Sequence, residues 1–249
     1  MIGAALQARG ITVRYGEALA VREVDLTVGR GEVVCLVGHN GAGKSSLMLA
    51  LAGLNDHTGD VVVEGGPPLR HSPRDRAQAG IVLVPEGREL FPDMTVEDNL
   101  LLGAYVRDRN LRRIRGSAAL TSVLDLFPVL ANRRGEAAGL LSGGQQQMLA
   151  IGRAMMSGPR VLMIDEPTLG LAPNVAAGLY EQLGELRAGG LSIVLAEESP
   201  QRGLRIADTC TVLSRGRVSY SGAATAVRDV EVLQSLYFTP ETAAAPQRS

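Results

Sequence analysis

Residues 36–46 read LVGHNGAGKSS, and their flanks decide the fold. The run before them, VVCLV at 33–37, is continuous and apolar, whereas 44–54 carries a helical pattern. Strand, glycine-rich turn and helix in that order are the setting that G-x-x-x-x-G-K-[ST] requires, and GHNGAGKS at 38–45 fits it. In such a turn the glycines let the backbone aim its amides at phosphate oxygens, and the helix that follows adds its positive end. Gly38, Asn40, Gly41, Gly43, Lys44, Ser45 and Ser46 form the candidate phosphate-binding set, with Lys44 at the terminal phosphates and Ser45 on Mg²⁺. Lys44 is the single lysine of the 249-residue chain. A compact ammonium on a flexible stem suits a narrow phosphate cradle, where arginine's planar fork does not. A chance glycine-rich turn would need neither the strand nor the helix.

Further out, short apolar runs recur at 81–84, 161–164, 191–196 and 209–213, with helical patterns at 144–157 and 174–188 between them. Alternation of continuous apolar strands with helices predicts an α/β core built on a parallel sheet. Strand-like runs also stand at 6–15, 21–28 and 60–64, separated by glycine-rich turns. Residues 95–134 break the alternation. Thr95 followed by Asp98 has capping-box spacing and the apolar positions after it suit helices, so the segment reads as a helical insertion. The end, TPETAAAPQRS, is small and proline-containing and reads as a frayed tail.

Composition narrows the function classes. A net charge of −1 gives no electrostatic footprint for gripping a nucleic-acid backbone, so no nucleic-acid partner is expected. Cys35 and Cys210 each sit in an apolar strand-like run and read as buried thiols, and His39, His57 and His71 lack the spacing of a metal site. The chain opens without a signal-peptide pattern and holds no apolar run long enough to span a bilayer. A cytoplasmic protein is expected, meeting a membrane only through a partner.

A second acidic element follows. VLMIDEP at 161–167 ends an apolar strand in two carboxylates. Asp165 is placed to orient Mg²⁺, and Glu166 to take the proton of an attacking water. Just upstream, LSGGQ at 141–145 opens a helix. Ser142, Gly143, Gly144 and Gln145 offer a hydroxyl and free amides at another positive helix end. Two anion sites in one chain are unusual for a simple nucleoside triphosphatase.

The glycine-rich loop, LSGGQ and DEP, in this order and spacing, resemble the ATP-binding subunit of an ABC transporter over about residues 6–237. The resemblance implies a P-loop α/β core with an N-terminal antiparallel β subdomain and an inserted helical subdomain at about 95–155. It implies one nucleotide-binding domain over 1–237, with 238–249 a disordered tail. Two such subunits stack head to tail, so that Ser142, Gly143, Gly144 and Gln145 of one close in trans over ATP held by the other. Tyr15, in VRYG, matches the aromatic that stacks on adenine. VPEGRELFPDMT at 84–95 matches the loop that touches both Mg²⁺ and the membrane subunit, with Glu86 where most of the family has glutamine. Ser45, Glu86 and Asp165 are then the Mg²⁺ set. VPEGR, LFP, TVEDNL and DEPTLGLAP together resemble the branched-chain amino acid transporters. That resemblance implies permease subunits, a second ATPase subunit in a homo- or heterodimer, an extracellular solute-binding protein acting indirectly, and a place on the cytoplasmic face of the membrane. Another importer, for an amide, urea or another amino acid, and a weakly hydrolysing ATP-binding partner in a heterodimer, remain as alternatives.

Two positions depart from the wider family. Ala172 stands where the loop after DEP commonly carries aspartate. Glu198, in EESP after the strand at 191–196, falls where a switch histidine or glutamine is expected. A carboxylate there faces the terminal phosphate with like charge, costing about 3 kcal/mol for unit charges roughly 5 Å apart at an effective dielectric near 20. Glu198 is therefore expected to point away, take up a proton or pair with a cation.

Overall fold

The computed structural model describes residues 3–108, 110–229, 232–233 and 235–236. The tail at 238–249 lies outside them. Nine strands occur among the described residues: β1 Ala4–Tyr15, β2 Ala18–Gly29, β3 Val33–Val37, β4 Thr58–Val63, β5 Ile81–Val84, β6 Val161–Asp165, β7 Ser192–Glu197, β8 Thr209–Ser214 and β9 Arg217–Ala223. The α-helices that join them are α1 Lys44–Leu51, α2 Pro73–Gln78, α3 Val96–Gly103, α4 Leu111–Arg115, α5 Ala118–Leu126, α6 Pro128–Ala131, α7 Gly143–Met156, α8 Pro173–Ala188 and α9 Gly203–Ile206.

The strands form two sheets. One is antiparallel, in the order β2-β1-β4; the other runs β5-β6-β7-β3-β8-β9, parallel except where β9 turns back on β8. Every residue of β3, β6 and β7 is buried, because both faces of the central sheet are covered. The alternation of β3 shows what covers them. Val33, Cys35 and Val37 join the core shared with α3, α5, α7 and α8, whereas Val34 and Leu36 join the core shared with β1, β2 and α1. Cys35 and Cys210 are neighbours in register and are both buried free thiols.

Register fixes the site. Val37 stands opposite Glu197, and Asp165 opposite Ala196, so β3, β7 and β6 end together at one edge. The strand order reverses direction at β3, and crevices beyond the carboxyl ends at such a point are where open α/β sheets bind ligands.

The insertion is helical as expected. Thr95 caps α3 by accepting the Asp98 amide, and the α3–α7 contact is so close that a Cβ on Gly103 would fall 1.9 Å from the Arg153 carbonyl. Some boundaries move. The first helix stops at Leu51 instead of reaching 54, because Gly53 turns the chain at φ 73. The last core strand but one begins and ends a residue later, at Ser192–Glu197. The helix α2, capped by Ser72 with Pro73 at its first turn, and the edge strand β9 were not expected.

Candidate functional site

The 38–46 turn builds its cradle from positions that admit no side chain. A Cβ on Gly43, at φ 105, would lie 2.4 Å from the Ala20 carbonyl, and one on Gly38 would lie 2.6 Å from the Leu213 carbonyl. Gly43 caps α1 without a side chain, so the first amides of that helix keep their donors for an anion. Lys44 is buried. Its Nζ donates to the Gly38 carbonyl at 2.7 Å and lies 3.4 Å from Glu166 Oε1. Ser45 stays exposed beside it.

Asp165 ends β6 and is buried, and Glu166 follows with φ 47. That left-handed backbone is sparsely populated by non-glycine residues and is held here by the Glu166 amide donating to Ala196 at 2.9 Å. Burial raises the Asp165 carboxyl above its ordinary range, a hydrogen bond from Ser45 and the charge of Lys44 oppose it, and nearby Glu86 adds to it. Its Oδ1 is buried with no hydrogen-bond partner. Burial also raises Glu166. Lys44 opposes that shift, while Asp165 and Glu198 reinforce it.

The segment after β7 brings Glu198 to the cradle itself. Asn40 Nδ2 donates to Glu198 Oε2 at 3.0 Å, so within the chain the side chain points toward the 38–46 turn and is bound by a neutral amide. The register of Val37 with Glu197 explains this, since the residue after Glu197 must meet the turn after Val37. Glu197, one residue earlier, is buried and accepts a hydrogen bond from the Tyr180 hydroxyl of α8. Burial pushes its carboxyl up to about 7; the Tyr180 bond opposes this, Glu166 adds to it, and Lys44 and Arg202 oppose it.

Tyr15 closes β1 with its ring half exposed, its hydroxyl donating to Ser46 Oγ at 3.4 Å and accepting from Asn55. The LSGGQ residues lie apart from this group. Ser142 caps α7 in a reciprocal capping box, its Oγ accepting from the Gln145 amide and Gln145 Oε1 from the Ser142 amide. A Cβ on Gly144 would come 2.3 Å from Val175 Cγ1, and one on Gly143 3.5 Å from the Arg88 guanidinium. The two glycines thus face the start of α8 and the loop after β5. Within one chain, Gly38 to Ser46, Asp165, Glu166, Glu86 and Glu198 come together, and Ser142 to Gln145 do not join them.

Sequence reasoning missed Arg88 and Arg153. Arg88 Nε donates to Gln147 Oε1 at 3.2 Å and its Nη1 to Gln146 Oε1 at 3.0 Å. Arg153 Nη1 and Nη2 donate to the carbonyls of Glu89 and Arg88 at 2.6 and 2.9 Å. The one available signal was an arginine inside VPEGR and a glutamine run after LSGG. It also missed Arg76, fully buried against the Val61 carbonyl and His57, whose ring stacks on His71 with centroids 4.0 Å apart.

Comparison with known proteins gives a consistent result. A family model described as ABC transporter matches residues 21–169. The chain is 39% identical over 209 residues to the high-affinity branched-chain amino acid transport ATP-binding protein BraG of Pseudomonas aeruginosa, covering 84% of this chain and 88% of that one. It is 36% identical over 224 residues to the probable branched-chain amino acid transport ATP-binding protein LivF of Archaeoglobus fulgidus, covering 89% and 93%. Among solved structures, the ADP conformation of MJ1267, an ATP-binding cassette of an ABC transporter, superposes with a TM-score of 0.81 at 27% identity, covering 95% and 99%.

Proposed function

The chain belongs to the ABC transporter family of ATP-binding subunits, and on that premise we propose that it hydrolyses ATP to power import of branched-chain amino acids through a membrane complex. The observation that carries the catalytic part is the junction of Lys44 and Glu166, 3.4 Å apart at the carboxyl ends of β3 and β6. ATP phosphates lie in the 38–46 cradle with Lys44 moving from Gly38 to the β- and γ-oxygens, and the Tyr15 ring stands at the adenine. Glu166 accepts the proton of the water that attacks the γ-phosphorus as the bond to ADP breaks, and its burial-raised basicity suits that task. Lys44 then balances the charge that develops on the leaving oxygen.

The donor set fits Mg²⁺. Asp165 Oδ1 is a buried acceptor without a partner, the Ser45 hydroxyl is exposed beside it, and Glu86 is close enough to act on Asp165. Among the described residues no group of three or more His, Cys, Asp or Glu is arranged to hold a metal. Ser45, Asp165 and Glu86 would hold Mg²⁺, which when bound would act as a Lewis acid toward the phosphate charge.

No helix among the described residues is long and apolar enough to cross a membrane. By likeness to the branched-chain amino acid transport ATP-binding proteins, the chain couples to permease subunits at the cytoplasmic face. A cavity of about 270 Å³ between α2, β5, α3 and α7, lined by Phe91, Leu102, Val106 and Arg153, is the surface offered to them. Ser142 and Gln145 serve the ATP of a second ATPase subunit stacked head to tail, identical or different. An extracellular solute-binding protein supplies the amino acid, which never touches this chain. Glu166→Gln tests the reading: with its partner subunit and permeases present, the variant should bind ATP, lose turnover and accumulate as a closed ATP-loaded dimer. Turnover at the parent rate would reject Glu166 as the base.

A further inference from the structure

The loop between β5 and α3 holds two features in one short stretch. Val84 stands in register with Ile164, so Glu86, two residues past the end of β5, lies beside the end of β6 at Asp165. Two residues later, Arg88 and Glu89 have φ 61 and 51, consecutive left-handed conformations that side chains other than glycine rarely adopt. Two bonds inside the loop set this turn, the Arg88 amide donating to Pro85 at 3.0 Å and the Glu89 amide to Gly87 at 2.7 Å, and α7 braces it from outside. Arg153 binds the carbonyls of both left-handed residues, and the Arg88 side chain binds Gln146 and Gln147. Gln147 is 3% exposed and its amide nitrogen has no partner, so its bond to Arg88 is made through oxygen in a dry setting. Hydrogen bonds from a charged guanidinium are roughly twice as strong as neutral ones, and the planar fork meets two acceptors at once.

Gln146 and Gln147 directly follow Ser142 to Gln145 on the first turns of α7, and the guanidinium lies against Gly143. The arginine thus grips the end of the helix that bears LSGGQ, while its own loop bears Glu86. We propose that Arg88 is a positioning residue that makes the Glu86 loop and the LSGGQ end of α7 shift as one body, so that nucleotide in this chain's cradle alters the LSGGQ that it presents to the partner's ATP. The inference rests on the ATPase reading for its ligand, and it assigns a direction of communication: from the cradle, through the loop and Arg88, to Ser142.

The sequence contains no tryptophan, and Leu140, two residues before Ser142, is 73% exposed. Leu140→Trp therefore places a single indole beside LSGGQ. In the full chain carrying Leu140→Trp and Glu166→Gln, Mg²⁺ and ATP are titrated while indole emission is recorded, and bound ATP is measured in parallel by equilibrium dialysis. Emission should change as ATP binds. Adding Arg88→Ala should leave ATP affinity within about threefold while cutting the emission change at least about fivefold, the lower end of ordinary coupling strengths. Arg88→Lys should uncouple as well, since an ammonium cannot reproduce the fork. Gln147→Met, which removes the acceptor and keeps the bulk, should act the same way from the α7 side and substitutes for Arg88→Ala should that variant not fold. ATP binding with an undiminished emission change in the uncoupled variants, or with no emission change in the parent, overturns the inference and leaves the ATPase reading intact. Failure of the parent to bind ATP overturns the ATPase reading itself.

Discussion

At the scale of single residues, the site is a balance between one cation and several carboxylates. Lys44 is held by the Gly38 carbonyl and Glu166, and Glu86, Asp165 and Glu198 stand around it. Glu198 is the member that sequence motifs leave unexplained, and its bond to Asn40 gives it a physical consequence: the carboxylate occupies an amide of the phosphate loop and opposes a γ-phosphate by like charge. Because Glu198 is exposed, solvent screens that repulsion well below the figure for a dry site. Glu198→Gln keeps the bond to Asn40 and removes the charge. It should tighten ATP relative to ADP by about three- to tenfold and raise turnover in the assembled transporter. Equal ATP and ADP affinities in the two proteins, measured by calorimetric titration, would show that Glu198 does not sense the terminal phosphate. The glycine-rich turn itself was legible, because its glycines and the helix after it fall within a few consecutive residues, although the carbonyls of Leu213 and Ala20 that crowd Gly38 and Gly43 were not. Nor were the partners of Glu198, Glu197 and Arg88. Asn40 and Glu198 are 158 positions apart, and only the placement of β7 beside β3 brings them together.

At the scale of elements, glycines decide how closely the helical insertion approaches the core. Gly103 ends α3 against the Arg153 carbonyl of α7, and that backbone atom cannot swing aside as a side-chain tip can. Gly103→Ala should force α3 and α7 apart, lowering stability by about 2 kcal/mol and the melting temperature by about 5 °C. ATP affinity should hardly change, since the phosphate cradle lies on other elements. Thermal denaturation with parallel nucleotide titration checks both halves. The same scale shows where periodicity failed. The helix α2, PRDRAQ, has no apolar stripe, and its buried member is an arginine, so the pattern had nothing to register beyond the Ser72-Pro73 start. The strand β9 lies at a sheet edge with most residues exposed or half-buried, and it lacks the continuous apolar signature of β3 or β6.

At the scale of the whole molecule, a buried acid behind the site ties stability to pH. Glu197 lies between Tyr180 and the strands beneath the cradle, with its carboxyl pushed up from 4.5 to about 7. An acid whose pKa is raised by folding binds more protons folded than unfolded, so its contribution is full below pH 4.5 and is lost as pH rises through 7. The loss approaches about 3 kcal/mol at the alkaline end. Unfolding by denaturant should therefore become easier as pH rises from about 4.5 to about 7, and Glu197→Gln should flatten that slope; an unchanged slope in the variant would assign the dependence to other groups. The sequence by itself determined the α/β class, the helical insertion and the glycine-rich turn between a strand and a helix, because hydrophobic periodicity and turn chemistry are encoded over a few consecutive residues. Tertiary structure alone decided the strand order, and with it the bond of Glu198 to Asn40, the Tyr180–Glu197 pair and the grip of Arg88 on α7. Those contacts join residues far apart along the chain, and side-chain hydrogen bonds of about 3 Å exist only once packing has fixed which elements are neighbours.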